Sequence, residues 1–128
     1  MNLLQNIKFG PDGLVPVGVV DAESKRLLVL CFMNDEALRR TLETGKVHTY
    51  SRSRGRVALK GESSGHMQTV KRVLVNCNAD SLCIEVEQAV AACHEGYFSC
   101  YFRQADLETG DFAVVEERVF DPAAVYKK

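Results

Sequence analysis

Five cysteines, three histidines and a run of serines and arginines are the residues of this chain with chemistry to offer. Cys77 sits among oxygen donors, Asn76, Asn78 and Asp80. Cys93 precedes His94, and Cys100 closes the glycine-containing stretch His94-Glu95-Gly96-Tyr97-Phe98-Ser99. Thiolates suit zinc, which takes four ligands in structural sites and three plus a water in catalytic ones. Closed four-cysteine sites normally carry paired C-x₂₋₄-C knuckles, and the chain has none. Three thiolates with an open position is the remaining metal geometry. From spacing alone, unrelated buried cysteines account for the pattern nearly as well. Cys31 falls in an apolar run that reads as core, and Cys83 faces away from the apolar set of its strand, alongside two carboxylates.

A second constellation is basic. Gly45 to Gly61 contains no acidic residue but holds Lys46, Arg52, Arg54, Arg56 and Lys60. Read as a strand, Tyr50-Ser51-Arg52-Ser53-Arg54 places Ser51 and Ser53 on one side and Arg52 and Arg54 on the other. Guanidinium forks and hydroxyls suit phosphate oxygens. The small residues of Gly61-Glu62-Ser63-Ser64-Gly65-His66 allow an anion close to the backbone, with His66 as a titratable neighbour. Composition alone favours a plainer reading, a solvated basic edge strand.

Several elements must position these residues. Leu14 to Val20 follows a Pro11-Asp12-Gly13 turn signal, and Arg26 to Met33 is a second apolar run, so the pair predicts a β-hairpin. Pro16 predicts an edge strand or a bulge. Asn34 is placed to cap a helix with Asp35 and Glu36 in its first turn, Leu38 and Leu42 on its apolar face and Gly45 after its end. Val47 to Ser51, Gln68 to Cys77, Leu82 to Gln88, Tyr97 to Arg103 and Phe112 to Phe120 read as strands. His48 reads as ordinary strand surface. A final helical turn follows Asp121-Pro122. The pattern predicts one α+β domain over residues 1–128, mostly β, with a twisted antiparallel sheet or partly open barrel under one main helix.

The chain has 128 residues, with 16 Lys+Arg against 17 Asp+Glu and a net charge of −1. Such a chain buries enough surface to fold without disulfides, and its balance excludes a generally basic nucleic-acid binder. No apolar run approaches the ~18 residues that span a membrane, and the first ten residues show no secretory h-region. An odd number of cysteines without a leader points to a reducing, cytoplasmic setting.

Taken together, the motifs resemble the phosphoribosyl-AMP cyclohydrolases. The resemblance is carried by Gly13-Leu14-Val15-Pro16, Phe32-Met33-Asn34-Asp35-Glu36-Ala37-Leu38, Thr44-Gly45-Lys46 and Tyr50-Ser51-Arg52-Ser53-Arg54. It continues through Lys60-Gly61-Glu62-Ser63-Ser64-Gly65-His66, Val86-Glu87-Gln88, Ala92-Cys93-His94-Glu95-Gly96-Tyr97 and Ser99-Cys100. It implies a cytoplasmic, interlocked homodimer of histidine biosynthesis that hydrolyses the N1–C6 bond of the adenine ring of 1-(5-phosphoribosyl)-AMP. It further implies one Zn2+ per subunit, held across the interface by Cys77 of one chain and Cys93 with Cys100 of the other. A zinc-activated water would then attack C6, with His94 as first and His66 as second candidate for general base. Ser51, Arg52, Ser53, Arg54 and Lys60 would hold the two phosphates, and Glu62 a ribose hydroxyl or a base.

The chain departs from the family at two places. The family's Asp-Cys-Asp-x-Asp stretch for Mg2+ reads Asn76-Cys77-Asn78-Ala79-Asp80 here, which removes two negative charges and predicts weaker magnesium binding. Ala58 stands where relatives carry tryptophan.

Overall fold

The computed structural model describes residues 1–126. The predicted hairpin forms: β1 (Val15–Asp21) pairs antiparallel with β2 (Leu27–Met33). Its valines alternate, and Val15, Val17 and Val19 are fully buried. A bulge between Val19 and Val20 leaves Leu28 outside the register, and Leu28 is fully buried too. Burying each such side chain stabilises the fold by about 1.5–3 kcal/mol.

A helix, α2 (Asp35–Thr44), follows, preceded by a short N-terminal turn of helix, α1 (Leu3–Asn6). Asn34 caps α2 by accepting from the Ala37 amide at 2.8 Å, and Gly45 ends it in the left-handed region. Its buried face is Ala37, Leu38 and Thr41. Leu42, expected on that face, is 42% exposed. Thr41 replaces it in the interior because its hydroxyl has partners there, donating to the Ala37 carbonyl at 2.8 Å and accepting from the His48 amide at 2.9 Å.

A two-stranded ribbon, β3 (His48–Ser51) with β4 (Arg56–Leu59), then leads to β5 (Gln68–Val75) and β6 (Leu82–Gln88). The main sheet has the order β2-β1-β6-β5. β5 and β6 are antiparallel, but β6 runs parallel to β1. The sheet is therefore mixed and open, neither wholly antiparallel nor a barrel. β1 is also interior, so of the edge strand or bulge that Pro16 suggested the edge does not form, while β1 carries its bulge further along, between Val19 and Val20. The ladder to β6 begins only at Val17, so the proline's missing N–H interrupts no bond on that side.

One face of the sheet carries Val15, Val17, Val19, Leu82, Ile84 and Val86 into a core with Leu28, Met33, Ala37, Leu38 and Val47. On the opposite face the register aligns Leu30, Gly18, Cys83 and Leu74 in one row. Leu30 in that row is 55% exposed. Glu85 stands on the same face, held between Lys25 at 3.0 Å and Arg72 at 3.1 Å.

Beyond β6 the strand content is smaller than the apolar runs suggest. Among the described residues only β7 (Arg103–Ala105) and β8 (Phe112–Val114) form there, as a solvent-exposed ribbon, before α3 (Pro122–Val125). Tyr97–Cys100 and Val115–Phe120 are irregular because their backbone bonds go to the loop around Cys93 and to β2, as described below. Among the described residues no helix is long and apolar enough to cross a membrane.

Candidate active site

Cys93 and Cys100 meet at one end of the sheet. After β6 the chain turns at Ala89, and Gln88 holds that turn by donating from Nε2 to the carbonyls of His66, Ala89 and Ala91 at 3.1, 3.0 and 3.2 Å. Gln68, fully buried, donates in turn to Gln88 Oε1 at 2.7 Å. The following loop is tied across itself by Ala92 N to Phe98 O at 2.8 Å and Cys93 N to Tyr97 O at 3.2 Å. Gly96 has φ 101°, and a Cβ there would sit 2.6 Å from the Phe120 carbonyl, so only glycine fits.

Cys100 is fixed to the start of β2. Its amide donates to Leu28 O at 2.8 Å, and the buried Ser99 hydroxyl donates to Leu27 O at 2.7 Å. Burial raises the Cys100 thiol above its ordinary value; the adjacent, hydrogen-bonded Cys93 adds to the rise and the Lys60 ammonium opposes it. Lys60 Nζ donates to the Ala92 carbonyl at 3.1 Å. Its charge also reaches Cys31, whose thiol burial pushes up to about 12 while the Lys60 ammonium opposes the rise.

The basic segment is a hairpin turn, not a continuous strand. Ser51 ends β3, and residues 52–55 form the turn to β4. Ser51 and Ser53 therefore do not alternate with Arg52 and Arg54. Their hydroxyls lie 3.3 Å apart, and the Ser51 hydroxyl accepts from the Arg54 amide at 3.3 Å. Arg52 stacks over the Phe32 ring at 4.3 Å.

Arg54 lines two adjoining depressions. One, of about 210 Å³, is also lined by Lys60, Glu62, Ser63 and His66. The other, of about 610 Å³, is lined by Ser63, His94, Glu95 and Arg118. His66 is buried, its Nδ1 has no hydrogen-bond partner among the described residues, and its ring meets Phe120 edge-on at 4.8 Å. Gly61 makes this packing possible, since a Cβ there would fall 2.5 Å from the His66 backbone. His48 is not surface: it is buried, with Nδ1 2.9 Å from Lys46 O.

Sequence reasoning missed the C-terminal contribution. Arg118 donates from Nε to Glu95 O at 2.8 Å, and Val119 N donates to Gly96 O at 2.7 Å. Tyr126 lines both depressions. An apolar strand pattern over Phe112–Phe120 concealed this role; the signal available was Arg118 itself, a charge inside that run.

Cys77, Asn76, Asn78 and Asp80 lie elsewhere, in the β5–β6 turn. The seven residues of β6 at ~3.3 Å each separate that turn from the Cys93 end by roughly 20 Å. Among the described residues no three His, Cys, Asp or Glu side chains of one chain gather around a metal position. Cys93 and Cys100 fit two corners of a tetrahedral thiolate site, and Cys77 of the same chain is too far away to be the third. The magnesium stretch does not fit its ion. Asn76 Oδ1 already accepts from the Asp80 and Ser81 amides at 2.9 and 3.0 Å, and its Nδ2 donates to Asp80 Oδ1 at 2.6 Å. The two amide donors fix which atom is oxygen.

Residues 29–102 match the family model described as phosphoribosyl-AMP cyclohydrolase. A phosphoribosyl-AMP cyclohydrolase of Methanoregula boonei is 47% identical over 122 residues, covering 95% of each chain. One of Methanothermobacter thermautotrophicus is 47% identical over 131 residues, covering 98% of this chain and 93% of its own. A histidine biosynthesis bifunctional protein of Thermoanaerobacter pseudethanolicus is 41% identical over 126 residues, 98% of this chain but 57% of that longer protein.

Proposed function

The chain belongs to the phosphoribosyl-AMP cyclohydrolase family, and from that premise we propose how its residues carry out the ring opening. The reaction is hydrolysis of the N1–C6 bond of the adenine ring of 1-(5-phosphoribosyl)-AMP, a step of histidine biosynthesis. A water oxygen bonds to C6, the C6–N1 bond breaks, N1 takes a proton, and C6 becomes a carboxamide carbon.

The observation that carries the reading is the pair Cys93 and Cys100, whose chain neighbours open onto two adjoining depressions: Ala92 with Arg54, Lys60, Glu62 and His66 lines one, and His94 with Arg54 lines the other. Cys93, Cys100 and Cys77 of a second copy would hold a zinc ion, which when bound would supply Lewis acidity for activating a water. Three thiolates leave such a site net negative, so a separate base assists. His94, next to Cys93 and open to the larger depression, is placed to take the water's proton. His66, whose Nδ1 has no partner among the described residues, is the second candidate, suited to an amine or ring nitrogen of the substrate. Arg54 and the Ser51 and Ser53 hydroxyls suit a phosphate. Arg52, stacked over Phe32, brings a second guanidinium to the same turn. Lys60 serves the thiol side of the cleft more directly than the phosphate side, and Glu62 suits a ribose hydroxyl.

With Cys77 as a ligand, the ~20 Å between it and the other thiols of its chain supports a homodimer. The exposed row of Leu30 and Leu74 around Cys83 gives a second copy an apolar face to cover. No step is assigned to magnesium at Asn76, Asn78 and Asp80; the ion's remaining place is on the substrate phosphates. A cytoplasmic location suits an enzyme with reduced thiols.

The test is to follow ring opening by absorbance in purified protein, with and without a zinc chelator. Turnover that the chelator abolishes supports the reading, and turnover indifferent to it contradicts the zinc assignment. Absence of turnover with zinc bound contradicts the catalytic one.

A further inference from the structure

The turn that carries Cys77 is unusually complete in its own hydrogen bonds. Asn76 N and Ala79 N close it through Ser81 O and Asn76 O at 3.3 and 3.0 Å. Ala79 sits in the left-handed region with φ 56°, and its carbonyl accepts from the Lys8 amide at 2.7 Å. The Asn76 side chain makes three more bonds, two through Oδ1 to backbone amides and one from Nδ2 to Asp80 Oδ1. The last is decisive. A carboxylate at 76 would keep the two amide bonds but place a second negative oxygen against Asp80, where the present N–H donates at 2.6 Å. Like charges at that distance need a cation between them or a shared proton.

We propose that the Asn76 carboxamide does in this chain what a divalent cation would do between two carboxylates. It links residues 76 and 80, and so presents Cys77, the lone exposed thiol of the turn, without magnesium. Asn76 is a positioning residue for Cys77. The proposal rests on the reading of Cys77 as a zinc ligand only where zinc is the readout. The conformational part stands on the turn alone.

The experiment compares the wild type, Asn76→Asp and Asn76→Ala in the full chain, each with and without millimolar MgCl2. Three quantities are read: the melting midpoint, the rate at which Cys77 of the zinc-free protein reacts with a thiol reagent, and zinc affinity by chelator competition. The wild type is expected to show no magnesium response in any of them. Asn76→Asp is expected to melt roughly 3–6 °C lower without magnesium and to recover when it is added. Its zinc affinity should fall about tenfold and recover in parallel. Asn76→Ala should lose as much and recover nothing, which separates replacement of a cation from simple loss of packing. A saturable magnesium stabilisation of the wild type would overturn the proposal. So would an Asn76→Asp protein that matches the wild type without magnesium. Should melting and Cys77 reactivity respond as expected while zinc affinity stays flat in every variant, the turn is as proposed and Cys77 is not a zinc ligand.

Discussion

Lys60 donates from its ammonium to the carbonyl of Ala92 at 3.1 Å, one residue before Cys93. This bond ties the end of the β3–β4 ribbon to the thiol loop, and it places the positive charge beside Cys100 and Cys31. Lys60→Met keeps the bulk of the stem and removes both effects. A hydrogen bond from a charged donor contributes about 1.5–3 kcal/mol. We expect a stability loss near the lower end, because Lys60 is half-buried, and a fall in kcat of about tenfold or more. Urea unfolding and steady-state kinetics on the same preparation check the two together.

Gln88 links four backbone or side-chain oxygens and nitrogens at the turn after β6. Gln88→Ala leaves the carbonyls of Ala91 and His66 without that donor and strips the buried Gln68 of its acceptor. An unsatisfied buried group costs about 1–3 kcal/mol. A lower urea midpoint at unchanged slope is the expected result.

Glu85 gives a pH signature remote from the site. Hydrogen bonds from Lys25 and then Arg72 hold its carboxyl below the ordinary 4.5. A depressed folded pKa means that its contribution is fully present above 4.5 and is lost as the pH falls from there through the folded value. Glu85→Gln should therefore flatten the acid limb of a stability profile. It should also be less stable than the wild type at neutral pH, as urea midpoints across the acid range would record.

Cys31 works in the opposite direction. Its thiol, raised by burial to about 12 from 9.0, stays neutral in the folded protein where the unfolded chain ionises. Its contribution is complete below 9.0 and declines as the pH rises toward 12. In the native state Cys31 should resist thiol reagents while the exposed Cys77 reacts. Mass spectrometry of briefly alkylated, zinc-free protein distinguishes the two sites.

The sequence made the local structure legible wherever one pattern had one meaning. Asn34 and Gly45 bounded α2, and the alternation Leu82, Ile84, Val86 located β6 and its core face. Alternation has no direction, so the parallel pairing of β1 with β6 could not be read from it. Apolar content likewise failed to distinguish a strand from a covering segment at Val115–Phe120. The Ser51–Arg54 motif was visible, but a hairpin turn satisfies it as well as a strand. The Cys93–Cys100 pair was legible because only six residues separate the two thiols, which at ~3.3 Å reach per residue keeps them within roughly 23 Å of each other. The remoteness of Cys77 depended on the antiparallel return of β5 and β6, a property of the whole sheet.

The central claim is that one chain's Cys77 completes the site of another chain's Cys93 and Cys100. Subunit complementation tests it most directly. Cys77→Ser and Cys93→Ser proteins, each inactive alone, are refolded together and assayed for ring opening. In a mixed dimer with sites shared across the interface, one site has lost residues from both chains and the other is intact. Statistical mixing should therefore restore about a quarter of the wild-type activity. A mixture that stays inactive, despite demonstrated heterodimer formation, would contradict the shared site.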